Sequence, residues 1–291
     1  MAALEPATAR DDESIGAILG LTVGDALGAT YEFCSPVEVP EGPLEIVGGG
    51  WLDLDPGETT DDTALAKAVL EGYREGSLDL RRVRDAMLRW QDSQPKDIGN
   101  QTSKALDYLR SHPEAFSLPD NPDAQGNGAV MRAVPHGVMA ERPEQTVDNA
   151  WVEASLTHPS WEARACSALV AALVTCLVEG RSPQEALETS WSLVEARNEP
   201  GKEVREVLRP LERYEHNPGG WTVYTTRLAL LSLVEASDFR TGLEDVVRLA
   251  GDADTNGAVA GALLGARFGV REIPPEWLDT LQGKEDILAL V

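Results

Sequence analysis

Gly16-Ala17-Ile18-Leu19-Gly20-Leu21-Thr22-Val23-Gly24-Asp25-Ala26-Leu27-Gly28 stands near one end of the chain, and Gly257-Ala258-Val259-Ala260-Gly261-Ala262-Leu263-Leu264-Gly265-Ala266-Arg267-Phe268-Gly269 near the other. Each segment repeats glycine at every fourth position and fills the intervening positions with residues of helical, apolar pattern. A glycine inside a helix costs about 0.5–1 kcal/mol relative to alanine, so two such rows need a compensating gain. Close approach of two backbones supplies one. The pattern therefore predicts two glycine-faced helices packed tightly at the centre of the fold. A pair of flexible loops is the alternative, and the apolar residues between the glycines argue against it.

Outward from these segments the same helical reading continues. Ala163, Cys166, Leu169, Val170, Leu173, Val174 and Leu177 form one stripe within 161–177 and predict a buried helix. Similar patterns predict helices over 63–73, 80–91, 101–109, 146–156, 183–196, 202–214, 223–236 and 243–250. The glycine segments themselves are read as helices over 15–28 and 256–268. Strand alternation is convincing almost nowhere. Gly180, Gly201 and Gly219 punctuate the series, and Pro183 stands where a first-turn proline is tolerated. Cys34–Gly57, rich in Pro, Gly and acidic residues, reads as an extended loop able to cover a site. The expected architecture is all-α, one compact helical domain over residues 1–291 with a flexible N-terminus over 1–13.

With 42% hydrophobic and 25% charged residues the chain has the profile of a soluble globular protein. Its net charge of −24, from 49 acidic against 25 basic residues, repels a free nucleic acid backbone on average. No stretch reads as long and apolar enough to span a bilayer, and the acidic start MAALEPATARDDES does not resemble an export signal. Cys34, Cys166 and Cys176 lack metal-finger spacing and read as small apolar groups in a reducing compartment. A cytoplasmic protein without membrane or nucleic acid partners is expected.

Two helix starts carry more oxygen ligands than a helix needs. Gly57-Glu58-Thr59-Thr60-Asp61-Asp62-Thr63 precedes one helix, and Gly251-Asp252-Ala253-Asp254-Thr255-Asn256 precedes the C-terminal glycine helix. Thr and Asp are preferred N-caps, and acidic residues complement the helix dipole in a first turn. Capping uses one side-chain oxygen, whereas each segment supplies two carboxylates and at least one hydroxyl. Hard oxygen ligands of this kind suit magnesium, manganese or calcium, and carboxylates from separate segments are what a two-metal centre requires. The reading depends on the two helix starts converging in space.

Gly24-Asp25-Ala26-Leu27-Gly28 with Glu32, Thr60-Asp61-Asp62-Thr63 and Gly251-Asp252-Ala253-Asp254-Thr255-Asn256 together resemble the ADP-ribosylglycohydrolase family. Asp97-Ile98-Gly99-Asn100-Gln101-Thr102, Gly126-Asn127-Gly128-Ala129-Val130-Met131-Arg132 and Leu156-Thr157-His158-Pro159 extend the resemblance over about residues 14–270. The resemblance implies an all-helical fold around two divalent cations, Mg2+ or Mn2+. Thr60, Asp61 and Asp62 would hold one ion and Asp252 and Thr255 the other, with Asp254 shared. It further implies release of ADP-ribose from an acceptor, with Glu32 as base, and leaves Asp25 structural. Asp97 and Gly99 match a loop of the arginine-directed branch and of the dinitrogenase reductase-activating glycohydrolases, which favours ADP-ribosyl-arginine on protein as substrate.

Gly126, Asn127 and Gly128 match the family's phosphate loop, and a helix start is expected behind them. By sequence alone the Asn-Gly pair is equally a turn. His158 matches a residue that contacts nucleotide or ribose, or it caps or packs. Arg132 faces solvent, an acidic partner or the phosphates. Trp51 and Trp221 have no motif context. The alternatives to an arginine-directed hydrolase are a non-catalytic ADP-ribose binder and a hydrolase of another ADP-ribosyl compound, on serine, nucleic acid or a small metabolite. Neither the oligomeric state, for which a monomer suffices, nor movement of the Cys34–Gly57 loop can be read from the sequence.

Overall fold

Thr8 and Asp11 open the first helix with a reciprocal cap. The Asp11 N–H donates to Thr8 Oγ1 at 3.1 Å, and the Thr8 N–H donates to Asp11 Oδ2 at 3.0 Å. In the computed structural model, which describes residues 8–140, 142–197, 204–209, 211–216 and 219–291, α1 accordingly begins at Ala9. Ala9–Glu13, expected to be flexible, form its first turns, and residues 1–7 lie outside the described residues.

The helices are α1 Ala9–Ala29, α2 Asp61–Glu71, α3 Leu80–Asp92, α4 Asn100–Ser111, α5 Val134–Met139, α6 Pro143–Ala154 and α7 Trp161–Val178. They continue as α8 Pro183–Ala196, α9 Val204–Leu208, α10 Thr222–Glu235, α11 Phe239–Val247, α12 Ala253–Phe268, α13 Pro275–Thr280 and α14 Lys284–Leu288. One hairpin, β1 Tyr73–Arg74 against β2 Ser77–Leu78, turns through Glu75 and Gly76, both at positive φ. The fold is all-α, as expected. α5, α13 and α14 were not foreseen because each is too short to show a period. The helix expected over 202–214 shrinks to Val204–Leu208, with Leu211–His216 non-helical; residues 202, 203 and 210 lie outside the described residues. A proline at 210 cannot continue a helix.

α1 and α12 pack antiparallel in strict register. A Cβ built on Gly16, Gly20, Gly24 or Gly28 would fall 2.4, 2.1, 2.0 and 2.2 Å from the carbonyl oxygens of Gly265, Gly261, Gly257 and Ala253. The reciprocal positions are as tight, from 1.9 to 2.5 Å for Gly265, Gly261 and Gly257. Backbone meets backbone here, so no side chain rearrangement would admit a methyl group. Gly269, read as the last of the row, is instead the C-cap of α12 at φ 83°, with the Asp12 carboxylate over it.

This pair is apolar on both flanks because it separates two cores. Ile18 and Leu21 of α1 with Val259 and Leu263 of α12 face a core built around α7, α6 and α10. Leu19, Val23 and Leu27 with Leu264 face a second core completed by Phe239, Leu243 and Trp277. In α7 all residues but Glu162 and Arg164 are buried. At 18 residues and a mean hydropathy of 1.5 it has the length and composition of a membrane span, contrary to the expectation that no stretch would qualify. Its uniform apolarity is answered by burial inside the protein, as for a central core helix.

Candidate active site

The antiparallel register brings the end of α1 beside the start of α12. Beyond that end, the Phe33 N–H donates to Gly251 O at 2.6 Å and the Gly251 N–H donates to Cys34 O at 3.2 Å, so Glu32 and Asp252 emerge side by side. α2 is tied to the same place by Asp25. This fully buried carboxylate accepts from Thr60 N–H (3.0 Å), Thr60 Oγ1 (2.9 Å), Thr63 N–H (3.0 Å) and Thr63 Oγ1 (2.6 Å). Asp25 thus satisfies two of the orphan donors at the start of α2, the N–H groups of Thr60 and Thr63, and ties that helix to α1. The convergence on which the two-helix-start reading depends is present.

Asp61, Asp62, Asp252 and Asp254 are all buried at this junction. Asp62 Oδ2 lies 3.3 Å from both Thr60 Oγ1 and Thr255 Oγ1, whereas Asp62 Oδ1 is buried with no hydrogen-bond partner among the described residues. Asp252 Oδ2 accepts from Asn127 Nδ2, which also donates to Thr225 Oγ1 at 3.1 Å. Asp61 Oδ2 accepts from the Gly99 N–H at 3.3 Å. Burial first, and then neighbouring carboxylates, push Asp61, Asp62 and Asp254 well above the carboxylate range. Burial also lifts Asp252 to about 6, against hydrogen bonds from Asn127 and Thr255 that pull it down. The centre gathers more carboxyl groups than its hydrogen-bond donors can keep ionised. A positive partner is the physical remedy.

Above it lies a cavity of about 380 Å³. Every residue proposed for the site from sequence lines it except Thr60 and Asp62, both buried. Glu32, Asp97 and Asp254 meet there, each offering an oxygen within 4.8 Å of the other two. Burial, with repulsion from Asp97 and Asp252, raises Glu32 to about 7. Asp97 is raised, chiefly by burial. It does not cap α4, whose N-cap is Gly99.

Gly126, Asn127, Gly128 and His158 line the same cavity. The Asn127 N–H already donates to Gly220 O at 3.0 Å, and its side-chain amide serves Asp252 and Thr225, so this residue braces the acidic centre. The helix expected behind the loop is a single 3₁₀ turn, Val130–Arg132, followed by α5. Ser160, not His158, caps α7 through a 3.1 Å bond from the Ala163 N–H.

Trp51 was missed. Its Nε1–H donates to Glu32 Oε2, and its ring lies 5.3 Å from that of Phe33 at the cavity mouth, both more than half exposed. It hangs from Gly48-Gly49-Gly50, three successive left-handed glycines whose run was the available signal in the sequence. Elsewhere the Cys34–Gly57 loop is anchored: the Leu44 N–H donates to Glu244 Oε1 at 3.1 Å, and Trp277 Nε1–H to Leu44 O at 3.1 Å. Trp221 does not line the cavity and precedes α10 as its N-cap.

A sequence profile described as ADP-ribosylglycohydrolase matches residues 6–291. The ADP-ribosyl-[dinitrogen reductase] glycohydrolase of Rhodospirillum rubrum is 32% identical over 279 residues, spanning 94% of this chain and 91% of that protein. The ADP-ribosylarginine hydrolase Tri1 of Pseudomonas putida is 31% identical over 294 residues, 96% of this chain and 76% of its own. A solved structure described as an ADP-ribosylglycohydrolase-related protein complex superposes with a TM-score of 0.84 at 33% identity, covering 97% of this chain and 96% of its own.

Proposed function

The chain belongs to the ADP-ribosylglycohydrolase family and is an enzyme of that class, and from this premise we propose that it removes ADP-ribose from ADP-ribosyl-arginine on protein with the help of two divalent cations, Mg2+ or Mn2+. The observation that carries the reading is the meeting of Glu32, Asp97 and Asp254 over a buried acidic centre in which Asp62 Oδ1 has no hydrogen-bond partner among the described residues. An unpaired buried carboxylate oxygen is costly and fits a hard cation. Thr60, Asp61 and Asp62 would hold one ion and Asp252 and Thr255 the other, with Asp254 shared. Bound there, the ions supply charge that offsets the carboxylates, orients the ribose hydroxyls and acidifies a water.

The protein's own residues do the rest. Asp25 accepts a hydrogen bond from the Thr60 hydroxyl, which directs the Thr60 oxygen lone pairs away from Asp25. Asn127 holds Asp252 in place. Glu32 accepts a proton from the water that attacks the anomeric carbon. The bond from that carbon to the guanidino nitrogen breaks with its electron pair passing to nitrogen, so the guanidinium leaves as neutral guanidine and takes up the proton that Glu32 received. Asp97 faces the departing guanidino group, which a carboxylate pairs with two parallel hydrogen bonds. Arginine as acceptor is supported by relatives at 31–32% identity named for dinitrogen reductase and ADP-ribosylarginine. One functional domain and a cytoplasmic location remain part of the same proposal.

Release of ADP-ribose from arginine-linked and serine-linked substrates, with Mg2+, Mn2+ or a chelator, tests it. Metal-dependent release from arginine, lost in Asp254→Ala and reduced at least about a hundredfold in Asp97→Asn, is expected. Release from serine alone would overturn the acceptor. Tight ADP-ribose binding without release from any substrate would make the protein a binder.

A further inference from the structure

We propose that Arg132 and Thr157 are positioning residues that hold His158 as an Nε2–H donor directed at the cavity. Of the three roles open on sequence, the structure shows Arg132 with an acidic partner, met in full burial. Its Nε–H donates to Glu153 Oε1 at 2.9 Å, its Nη1–H to Gly128 O, and its Nη2–H to Thr157 Oγ1 at 2.7 Å. Thr157 Oγ1 in turn lies 2.7 Å from His158 Nδ1.

Chemistry assigns the protons along this line. A guanidinium has donors and no acceptor, so Thr157 Oγ1 accepts from Arg132. Among the described residues the only acceptor bonded to the Thr157 hydroxyl proton is His158 Nδ1. An imidazole whose Nδ1 accepts a hydrogen bond carries its proton on Nε2. Burial, with the Arg132 charge nearby, also holds His158 well below the usual histidine range, so the ring is neutral at pH 7. That ring packs against the glycine loop: a Cβ on Gly126 would lie 3.2 Å from Nε2, and one on Gly128 2.8 Å from Cε1. His158 and both glycines line the cavity that the carboxylates also line, which places the ring's donor at that cavity.

Arg132 does not itself meet the ligand, because its charge is paired with Glu153. Behind Glu153 the line runs on through buried groups: His136 Nε2 lies 3.7 Å from Glu153 Oε2, and His136 Nδ1 lies 2.8 Å from the Tyr73 hydroxyl. A buried ion pair of this kind is weak as a source of stability, and orienting one imidazole is what it accomplishes here. The group it orients suits an oxygen acceptor such as the diphosphate of ADP-ribose, a step that rests on the function proposed above.

Substituting buried Arg132 risks unfolding, so the decisive variant is Thr157→Val, with Thr157→Ser as rescue and thermal melts as control. Imidazole ¹⁵N spectra of the full chain, assigned with His158→Gln, read the tautomer, and calorimetry with ADP-ribose reads affinity. Expected are an Nε2–H ring in the wild type, mixed tautomers in Thr157→Val, and ADP-ribose binding weakened about three- to tenfold, the size of one hydrogen bond. KM should rise more than kcat falls, and Thr157→Ser should restore all three. An Nδ1–H ring in the wild type, or an unchanged tautomer and affinity in Thr157→Val, overturns the proposal. A wild type with the Nε2–H ring that does not bind ADP-ribose upholds the positioning and overturns the functional reading instead.

Discussion

Gly24 and Gly257 face each other so closely that neither has room for a methyl group: a Cβ on Gly24 would lie 2.0 Å from Gly257 O, and one on Gly257 would lie 2.5 Å from Gly24 O. The same contact sets the site, because the helix ends it aligns are those that present Glu32, Asp252 and Asp254.

Gly24→Ala should therefore destabilise the protein by about 3 kcal/mol or more, since both partners are backbone and neither can rotate away. Gly42→Ala, with open space around it, should be near neutral. Urea unfolding of the two variants checks this, and equal stabilities would show that the helices separate easily.

Asp62 lies fully buried among carboxylates that repel it. Without divalent cations, Asp62→Asn should be more stable than the wild type by roughly 1–2 kcal/mol, because a repelled charge is removed. With Mg2+ or Mn2+ the order should reverse, as the wild type gains stability by binding the ion and the variant does not. Melting curves with chelator and with metal decide it; a variant that is less stable in both conditions would mean that Asp62 is held by protein contacts alone.

Trp51 donates its indole N–H to Glu32 Oε2 and leaves the other carboxylate oxygen for the reaction. Trp51→Phe keeps a ring against Phe33 and loses only the donor. We expect kcat to fall about tenfold, corresponding to one hydrogen bond to a charged group, with KM little changed. Steady-state kinetics on an arginine-linked substrate provide the check, and unaltered kcat would make Trp51 a bystander.

Glu153 gives a stability test in pH. Burial alone would raise this carboxyl, but the Arg132 charge and His136 outweigh it and hold the group below its ordinary value of 4.5. A lowered folded value means that the unfolded chain binds more protons, so the ion pair stabilises above about pH 4.5 and its contribution is lost as pH falls through the folded value. Glu153→Gln strands Arg132 and should cost about 3–5 kcal/mol at pH 7. The gap from the wild type should narrow as pH drops below the ordinary carboxylate value. A gap independent of pH would mean that the cost is packing rather than charge.

Much of this was legible in the chain. Glycine at every fourth position has one cheap explanation in a helix, so the α1–α12 contact followed from spacing alone. Oxygen ligands in excess of capping needs at 60–63 and 252–255 likewise pointed to a shared charge. Short elements were not legible: α5, α13 and α14 span at most six residues and show no period. Trp51 was missed because a loop side chain reaches Glu32 through three left-handed glycines, and local sequence does not encode that reach.

What the sequence determined by itself is what depends on periodicity and local chemistry: the helical class, the glycine interface and the types of residue at the site. Tertiary structure alone decided which donors meet which acceptors. Asn127 braces Asp252 rather than lying free, Asp97 joins Glu32 and Asp254 rather than capping a helix, and Arg132 is spent on Glu153 and Thr157 inside the core. Hydrogen bonds act over about 3 Å between residues up to 125 positions apart in these cases, and only the packed fold brings such atoms within that range.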